Sequence, residues 1–275
     1  MHAVVCIKQV PDTTEVKIDP KTNTLMRKGV PSIANPYDLH ALEEALRLKD
    51  QHGGKVTAIS MGPMQAREVI KKAISLGADD GIILCDVAFA GSDTLATSYI
   101  LSQAIQEIDR KDKVDIILCG KQAIDGDTAQ VGPGIATRLG VPPLTYVLKI
   151  DEVDIKNGKI KVERMLETGR EVVEASLPVL LTVVKEANEV RYASLPNLIK
   201  AIRHEVRLWD KNSFSIDLSQ CGLKGSPTQV KKIFAPPVRE IELEIVPDGE
   251  KNPKQAAALL AEKLIDLQII GDGRR

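Results

Sequence analysis

The chain has 275 residues, 43% hydrophobic and 27% charged, with a formal net charge of -1. That length can bury a full core, as one large domain or as one domain with an extension, and the near-neutral charge balance argues against nucleic acid as the main partner. Its apolar runs, such as "PVLLTVV" at Pro178 to Val184, fall far short of the ~20 residues that span a bilayer, so no membrane insertion is expected.

The first residues, "MHAVVCIKQVPD", enter an apolar run at once, without the cationic start and small-residue cleavage site of a signal peptide, and read as a first strand. Cys6, Cys85, Cys119 and Cys221 are widely spaced, and the four histidines are equally scattered. Neither a zinc-ligand spacing nor a Cys/His nucleophile pair is present, and reduced, mostly buried thiols in a cytoplasmic protein are expected.

Up to about residue 140, short β-rich runs alternate with helical patterns. "AVVCIK" (Ala3 to Lys8), "KVTAIS" (Lys55 to Ser60), "GIILC" (Gly81 to Cys85) and "VDIILC" (Val114 to Cys119) are continuously apolar, as parallel strands covered on both faces are. The first helix starts at Pro36, repeats Leu39, Leu42, Ala45 and Leu46 at helical spacing, and stops at Gly53. A second runs from Pro63 to Leu76 and ends at Gly77. A third follows Ser92 or Asp93 as N-cap, and a fourth is expected to open near Asp127 or Thr128.

This alternation predicts an α/β fold, a doubly wound, mostly parallel sheet of Rossmann-like, nucleotide-binding type, with its ligand crevice at the carboxyl ends of the strands. From Lys149 the segments shorten and alternate. "KNGK" at Lys156 to Lys159 reads as a hairpin turn between added strands that complete or extend the sheet. After Ala187 the regular apolar pattern lapses. The expected organisation is therefore a domain over 1–187, then a C-terminal extended arm and final helix over 188–275. The arm, Asn188 to Pro237, is expected to pack on another surface, for example that of a partner chain, before the helix "KQAAALLAEKLIDL".

Four strand exits carry the candidate chemistry. The longest is "GKQAIDGDTAQV", Gly120 to Val131, which has no Walker lysine. A helix N-terminus stabilises a phosphate, and Gly126, Thr128 and Ala129 are small enough for close backbone approach. Asp125 and Asp127 could accept from ribose hydroxyls or adenine, or one could cap the helix; a purely structural turn is about as compatible with the residues. At "FAGSDTLATS", Asp93 reads as a cap, while Ser92, Thr94 or Thr97 could meet a ligand. Asn35, before Pro36, either fixes a turn or faces a base. Cys6 has no neighbouring base in these loops and reads as a pocket wall; Trp209 reads as a packing anchor. With no nucleophile and base, no metal cluster and no P-loop, a cofactor carrier is favoured over a hydrolase.

The segments "CIKQVPD", "ANPYD", "ALEEALRLKD", "AISMGP", "GKQAIDGDTAQVGP", "VERMLETGREVVEASLPVLLTV" and "RYASLPNLIKA" occur in order along nearly the whole chain. Together they resemble the beta subunit of electron transfer flavoproteins. The resemblance implies a heterodimer whose alpha subunit holds one FAD while the beta subunit holds a second nucleotide. That nucleotide is structural AMP in the conventional branch and a second FAD, reduced by NADH, in the electron-bifurcating branch. It implies nucleotide contacts at Cys6, at Asn35, Pro36, Tyr37 and Asp38, at Met61, and in the long loop at Gly120, Lys121, Gln122, Ala123, Ile124, Asp125, Gly126, Asp127, Thr128, Ala129, Gln130 and Val131. It also implies a partner-recognition segment at Tyr192, Ala193, Ser194, Leu195, Pro196 and Asn197, with Leu195 as the anchor.

The small side chains in the loop, with "VPDTTEVKIDP" after the first strand and "FAGSDTLATS" after the third, look like the bifurcating branch. For that branch the implied partners are the alpha subunit, a flavoprotein dehydrogenase and ferredoxin, with NAD(H) as electron donor or acceptor. The sequence departs from the family's acidic signature at Thr168 and Gly169.

Overall fold

The computed structural model of the chain describes residues 1–12, 31–231 and 249–270. Residues 13–30, which include most of the "VPDTTEVKIDP" stretch, and 232–248, which include the end of the expected arm, lie outside them. The chain divides into two compact units, Met1–Ile233 and Phe234–Arg275.

The first unit is built on a nine-stranded sheet. Strands β1 (His2–Cys6), β4 (Lys55–Met61), β5 (Asp80–Leu84) and β6 (Ile116–Gly120) alternate with helices α1 (Pro36–His52), α2 (Arg67–Leu76) and α3 (Thr94–Lys111), and α4 (Val131–Leu139) follows β6. The short strands β2 (Gln9–Pro11) and β3 (Ser32–Ala34) pair with each other in a separate antiparallel ribbon. Beyond α4, β7 (Pro143–Asp154), β8 (Lys159–Leu166) and β9 (Gly169–Ser176) form an antiparallel meander, and β10 (Val179–Val183) returns to the centre. Helix α5 (Leu195–Arg203) and strand β11 (Arg207–Trp209) complete the unit.

The strand order is β11-β5-β4-β1-β6-β10-β7-β8-β9, and every pair from β11 to β7 is parallel. From β1 the sheet grows one way through β4 and the other way through β6, so the point where the winding reverses lies between β1 and β6. Alternate residues serve opposite faces. Ala3, Val5, Ile116 and Leu118 pack with α1 and α2, whereas Val4, Ile117 and Cys119 pack with α3 and α4. Two-sided burial explains the continuous apolar runs.

Helix limits follow local chemistry. Pro36 opens α1 and Gly53, at φ 69°, ends it. Asp93 caps α3 by accepting from the amides of Leu95 and Ala96. Gly134 lets α4 lie against α3, where an added Cβ would come within 2.8 Å of Ser98.

Two expectations differ from the structure. The fourth helix begins at Val131, not near Asp127, because Asp127 (φ 49°) and Ala129 (φ 54°) have left-handed backbones that no α-helix accepts. Residues 188–231 are part of the first compact unit, so its limit lies near residue 233 rather than 187. Strand β11 adds to the sheet edge beside β5, and Trp209, Phe214 and Cys221 enter the core under α3. Trp209 is the packing anchor expected, tilted against Phe214 at 5.8 Å between ring centroids. In the second unit, α6 (Pro253–Asp266) is the expected final helix.

Candidate functional site

A crevice of about 850 Å³ opens where the parallel strands end. Its floor is the winding reversal itself: Cys6 closes β1, and Cys119 and Gly120 close β6. One wall is the 120–132 segment and the other is 84–94 from the β5 exit into α3, with Met61 to Ala66 and Gln9 to Pro11 along the rim.

Of the residues named from sequence, Cys6, Asp38, Met61, Ser92, Thr94, Thr97, 120–123 and 125–131 line this crevice. Asn35, Pro36, Tyr37 and Ile124 are not among its lining residues. Asn35 is fully buried: its amide donates to the carbonyl of Gln122 (2.8 Å) and accepts from the amide of Ile124 (3.2 Å). Both ends of that side chain are engaged by the loop, so Asn35 shapes the wall.

Asp38 lies one helical turn further on. It accepts from the backbone amides of Lys8 (2.7 Å) and Gly120 (3.1 Å), tying the exits of β1 and β6 to α1. Burial pushes its carboxyl up to about 7, against the pull of the Asn35 amide, the two backbone donors and the Lys8 charge. Gly120 has to be glycine here, since a Cβ would run into Asp38 and the backbone of Tyr37.

The loop is a built turn. The amide of Asp127 donates to the carbonyl of Ala123 (2.9 Å), Gln122 donates to the Asp127 carboxylate (2.7 Å), and Lys8 grips Asp125. Asp125 and Asp127 are therefore both engaged within the protein, and neither caps α4. Its N-cap, Gln130, makes no side-chain cap hydrogen bond. The first turn of α4 thus faces the crevice without a capping side chain, which suits an anionic group. Thr94 donates to Gln130 (3.0 Å) and links the starts of α3 and α4. Ser92 is occupied structurally: it donates to the carbonyl of Phe89 and accepts from the amide of Gly222.

The thiols fit a wall rather than a nucleophile. The neighbouring Cys6 thiol, hydrogen-bonded to Cys119, and burial together push the Cys119 thiol well up, disfavouring a thiolate. Among the described residues no group of His, Cys, Asp and Glu could hold a metal ion.

On the opposite wall sequence reading named Ser92, Thr94 and Thr97 but did not single out Asp86, Val87 or Phe89, and it missed the contribution of the later chain. Leu223 packs on Gly91; Ser226 accepts from the amide of Asp93 (2.8 Å), and Thr228 donates its hydroxyl to the Asp93 carboxylate (2.8 Å). No local motif announces such long-range packing.

The candidate recognition segment forms a separate surface. Ser194 caps α5 by accepting from the amide of Asn197, and the Arg191 guanidinium makes two bonds to buried Glu43 and one to Asp50, while its backbone amide donates to Glu43 as well. Held this way, Tyr192 is 98% exposed and Leu195 70% exposed.

A doubly wound α/β protein with a broad crevice at its winding reversal is the class that these features define. Comparison with known proteins narrows it. Residues 22–213 match the electron transfer flavoprotein domain. The chain is 52% identical over 265 residues to Protein FixA of Azotobacter vinelandii, covering 96% of this chain and 94% of that one. It is 48% identical to the electron transfer flavoprotein subunit beta of Clostridium acetobutylicum, over 96% of this chain and 98% of that one. With the subunit beta of Megasphaera elsdenii the identity is 47%, over 98% and 100%. The chain belongs to the electron transfer flavoprotein family, as a beta subunit. Among the described residues no helix is long and apolar enough to cross a membrane.

Proposed function

We propose that this beta subunit holds FAD in the crevice between the Gly120 loop and the start of α3, and works in the cytoplasm as the electron-bifurcating half of a heterodimer with an alpha subunit. The supporting observation is the breadth of the crevice. It runs from Cys6 and the 120–132 wall across to Asp86, Phe89 and Thr97. AMP would occupy one side of that space, whereas a flavin dinucleotide would use both walls. A volume of about 850 Å³ lies in the upper part of the range usual for small-molecule pockets.

Within this reading, the first turn of α4 receives the pyrophosphate and the 120–129 backbone approaches the nucleotide closely. The apolar and thiol floor at Cys6 and Cys119 keeps water from the redox ring. When bound, FAD supplies two-electron exchange with NADH and one-electron delivery to ferredoxin and, through the alpha-subunit flavin, to a flavoprotein dehydrogenase. The protein's part is binding, orientation and exclusion of water, which is why no acid-base pair is needed. Tyr192 to Asn197, with Leu195 foremost, present the surface to the dehydrogenase.

The test is the ligand content of the purified heterodimer. Two FAD per heterodimer, with flavin absorbance bleached by NADH, is the expected result. One FAD and one AMP would replace this reading with the conventional, structural-AMP subunit. Two FAD that NADH leaves unbleached would remove bifurcation.

A further inference from the structure

Helix α1 approaches the crevice end-on, and its start does something that a ligand-contact role does not explain. Two side chains three positions apart, Asn35 and Asp38, make four hydrogen bonds into three other stretches of backbone. Asn35 takes the carbonyl of Gln122 and the amide of Ile124; Asp38 takes the amides of Lys8 and Gly120. Asn35 is fully buried and Asp38 nearly so, at 7% exposure. The carboxylate thus joins the ends of β1 and β6, and the amide fixes the loop that continues from β6.

We propose that Asn35 and Asp38 are positioning residues that hold the 120–124 wall in its nucleotide-receiving shape, and that the buried Asp38 carboxyl makes this hold pH-dependent. The inference rests on the proposal that a nucleotide occupies the crevice. A neutral Asp38 carboxyl accepts from the amides with no charge to bury. The ionised form must be held away from water, a cost that outweighs its charge-assisted bonds to the two amides, so the hold weakens on ionisation. Burial places that change near 7. The titratable groups that face Asp38 are Lys8 from the β1 exit and Cys119 from β6. Lys8 is paired with Asp125, and burial beside Cys6 keeps Cys119 a thiol.

The experiment uses the intact heterodimer, stripped of its beta-site nucleotide, and titrates FAD and AMP separately from pH 5.5 to 8.5. Amide hydrogen exchange of residues 120–124, corrected for intrinsic rates, is measured without ligand over the same range. In the parent protein, affinity is expected to fall roughly tenfold on going from pH 6 to pH 8, with a parallel loss of protection in 120–124. Asp38→Asn, the same size but unable to ionise, should flatten both profiles. Asn35→Ala should lower protection and affinity at every pH, and Asn35→Asp, which keeps only the acceptor, should fall between Asn35→Ala and the parent.

Retention of the pH step in Asp38→Asn, or unchanged protection of 120–124 in both Asn35→Ala and Asp38→Asn, overturns the inference. Failure of the parent to bind either nucleotide at any pH overturns the nucleotide reading instead, while the exchange data still decide whether the hold exists.

Discussion

Lys8 and Asp125, 117 positions apart in sequence, join the exit of β1 to the loop after β6, with the lysine Nζ 2.7 and 2.8 Å from the two carboxylate oxygens. Both residues line the crevice, and Lys8 also donates its backbone amide to Asp38. One residue thus touches the two acidic groups that frame the floor and the wall.

The Lys8–Asp125 pair is about half exposed on the lysine side, so its worth to stability is small. Lys8→Ala should lower unfolding free energy by no more than about 1 kcal/mol, measured by urea titration. Beta-site nucleotide affinity should drop by several-fold, with the parent becoming more like the variant as salt rises. A large loss of stability with unchanged affinity would show that the pair holds the fold and not the loop.

Two glycines separate wall from packing. A Cβ on Gly126 meets nothing within 4 Å, whereas one on Gly134 comes within 2.8 Å of Ser98 on α3. Gly126→Leu should leave stability within about 0.5 kcal/mol and lower nucleotide content by steric exclusion. Gly134→Leu should cost about 1–3 kcal/mol by forcing α4 from α3. Thermal melts and nucleotide content per heterodimer read both, and equal effects from the two would misplace the crevice.

Asp38 sets a pH slope on folding. Its native carboxyl is raised to about 7 from 3.8, so between those values the folded chain keeps a proton that the unfolded chain has released. Its contribution is therefore fully present below about pH 4 and is lost as pH rises through about 7. The ceiling is about 4 kcal/mol. Asp38→Asn should remove this part of the slope, seen by comparing denaturant midpoints at pH 5 and pH 8 for parent and variant. An unchanged difference between those midpoints would mean the carboxyl titrates elsewhere.

Arg191→Ala tests the support of the exposed segment. Losing its three side-chain bonds, two of them to Glu43, leaves that nearly buried carboxylate with Arg47 and the backbone amide of residue 191 as partners. The expected cost is about 1–3 kcal/mol. Electron delivery to a flavoprotein dehydrogenase should slow with little change in beta-site nucleotide content. Leu195→Asp, at an exposed position, should slow delivery with no loss of stability.

Much of this was legible where local rules govern. Pro36 and Gly53 bound α1 as expected, Asp93 proved the cap of α3, and "KNGK" turns the chain between β7 and β8. The parallel strands stood out because two-sided burial leaves continuous apolar runs. What escaped was decided at a distance. Strand β11 is only three residues long and exists because β5 offers it an edge. The arm after Ala187 lacks periodicity because it is anchored by single contacts, such as Thr228 on Asp93, rather than by a repeating face. The start of α4 misled because an aspartate before a helix usually caps it, whereas Asp127 sits in a left-handed turn. Asn35 illustrates the same limit: the sequence singled it out, but only the fold reveals that both ends of its amide are spent on the loop.

The position of β10 has a consequence for biosynthesis. Its five buried residues lie between β6 and β7, yet the ribosome makes them only after β7, β8 and β9. Until Val179 emerges, β6 keeps an open apolar edge and the later meander has nothing to join it to the earlier strands. A nascent or truncated chain ending before that point exposes two hydrophobic strand borders at once, the condition that recruits chaperones or seeds aggregation. The crevice, whose floor is β6, can be finished only when this late strand has been slotted in.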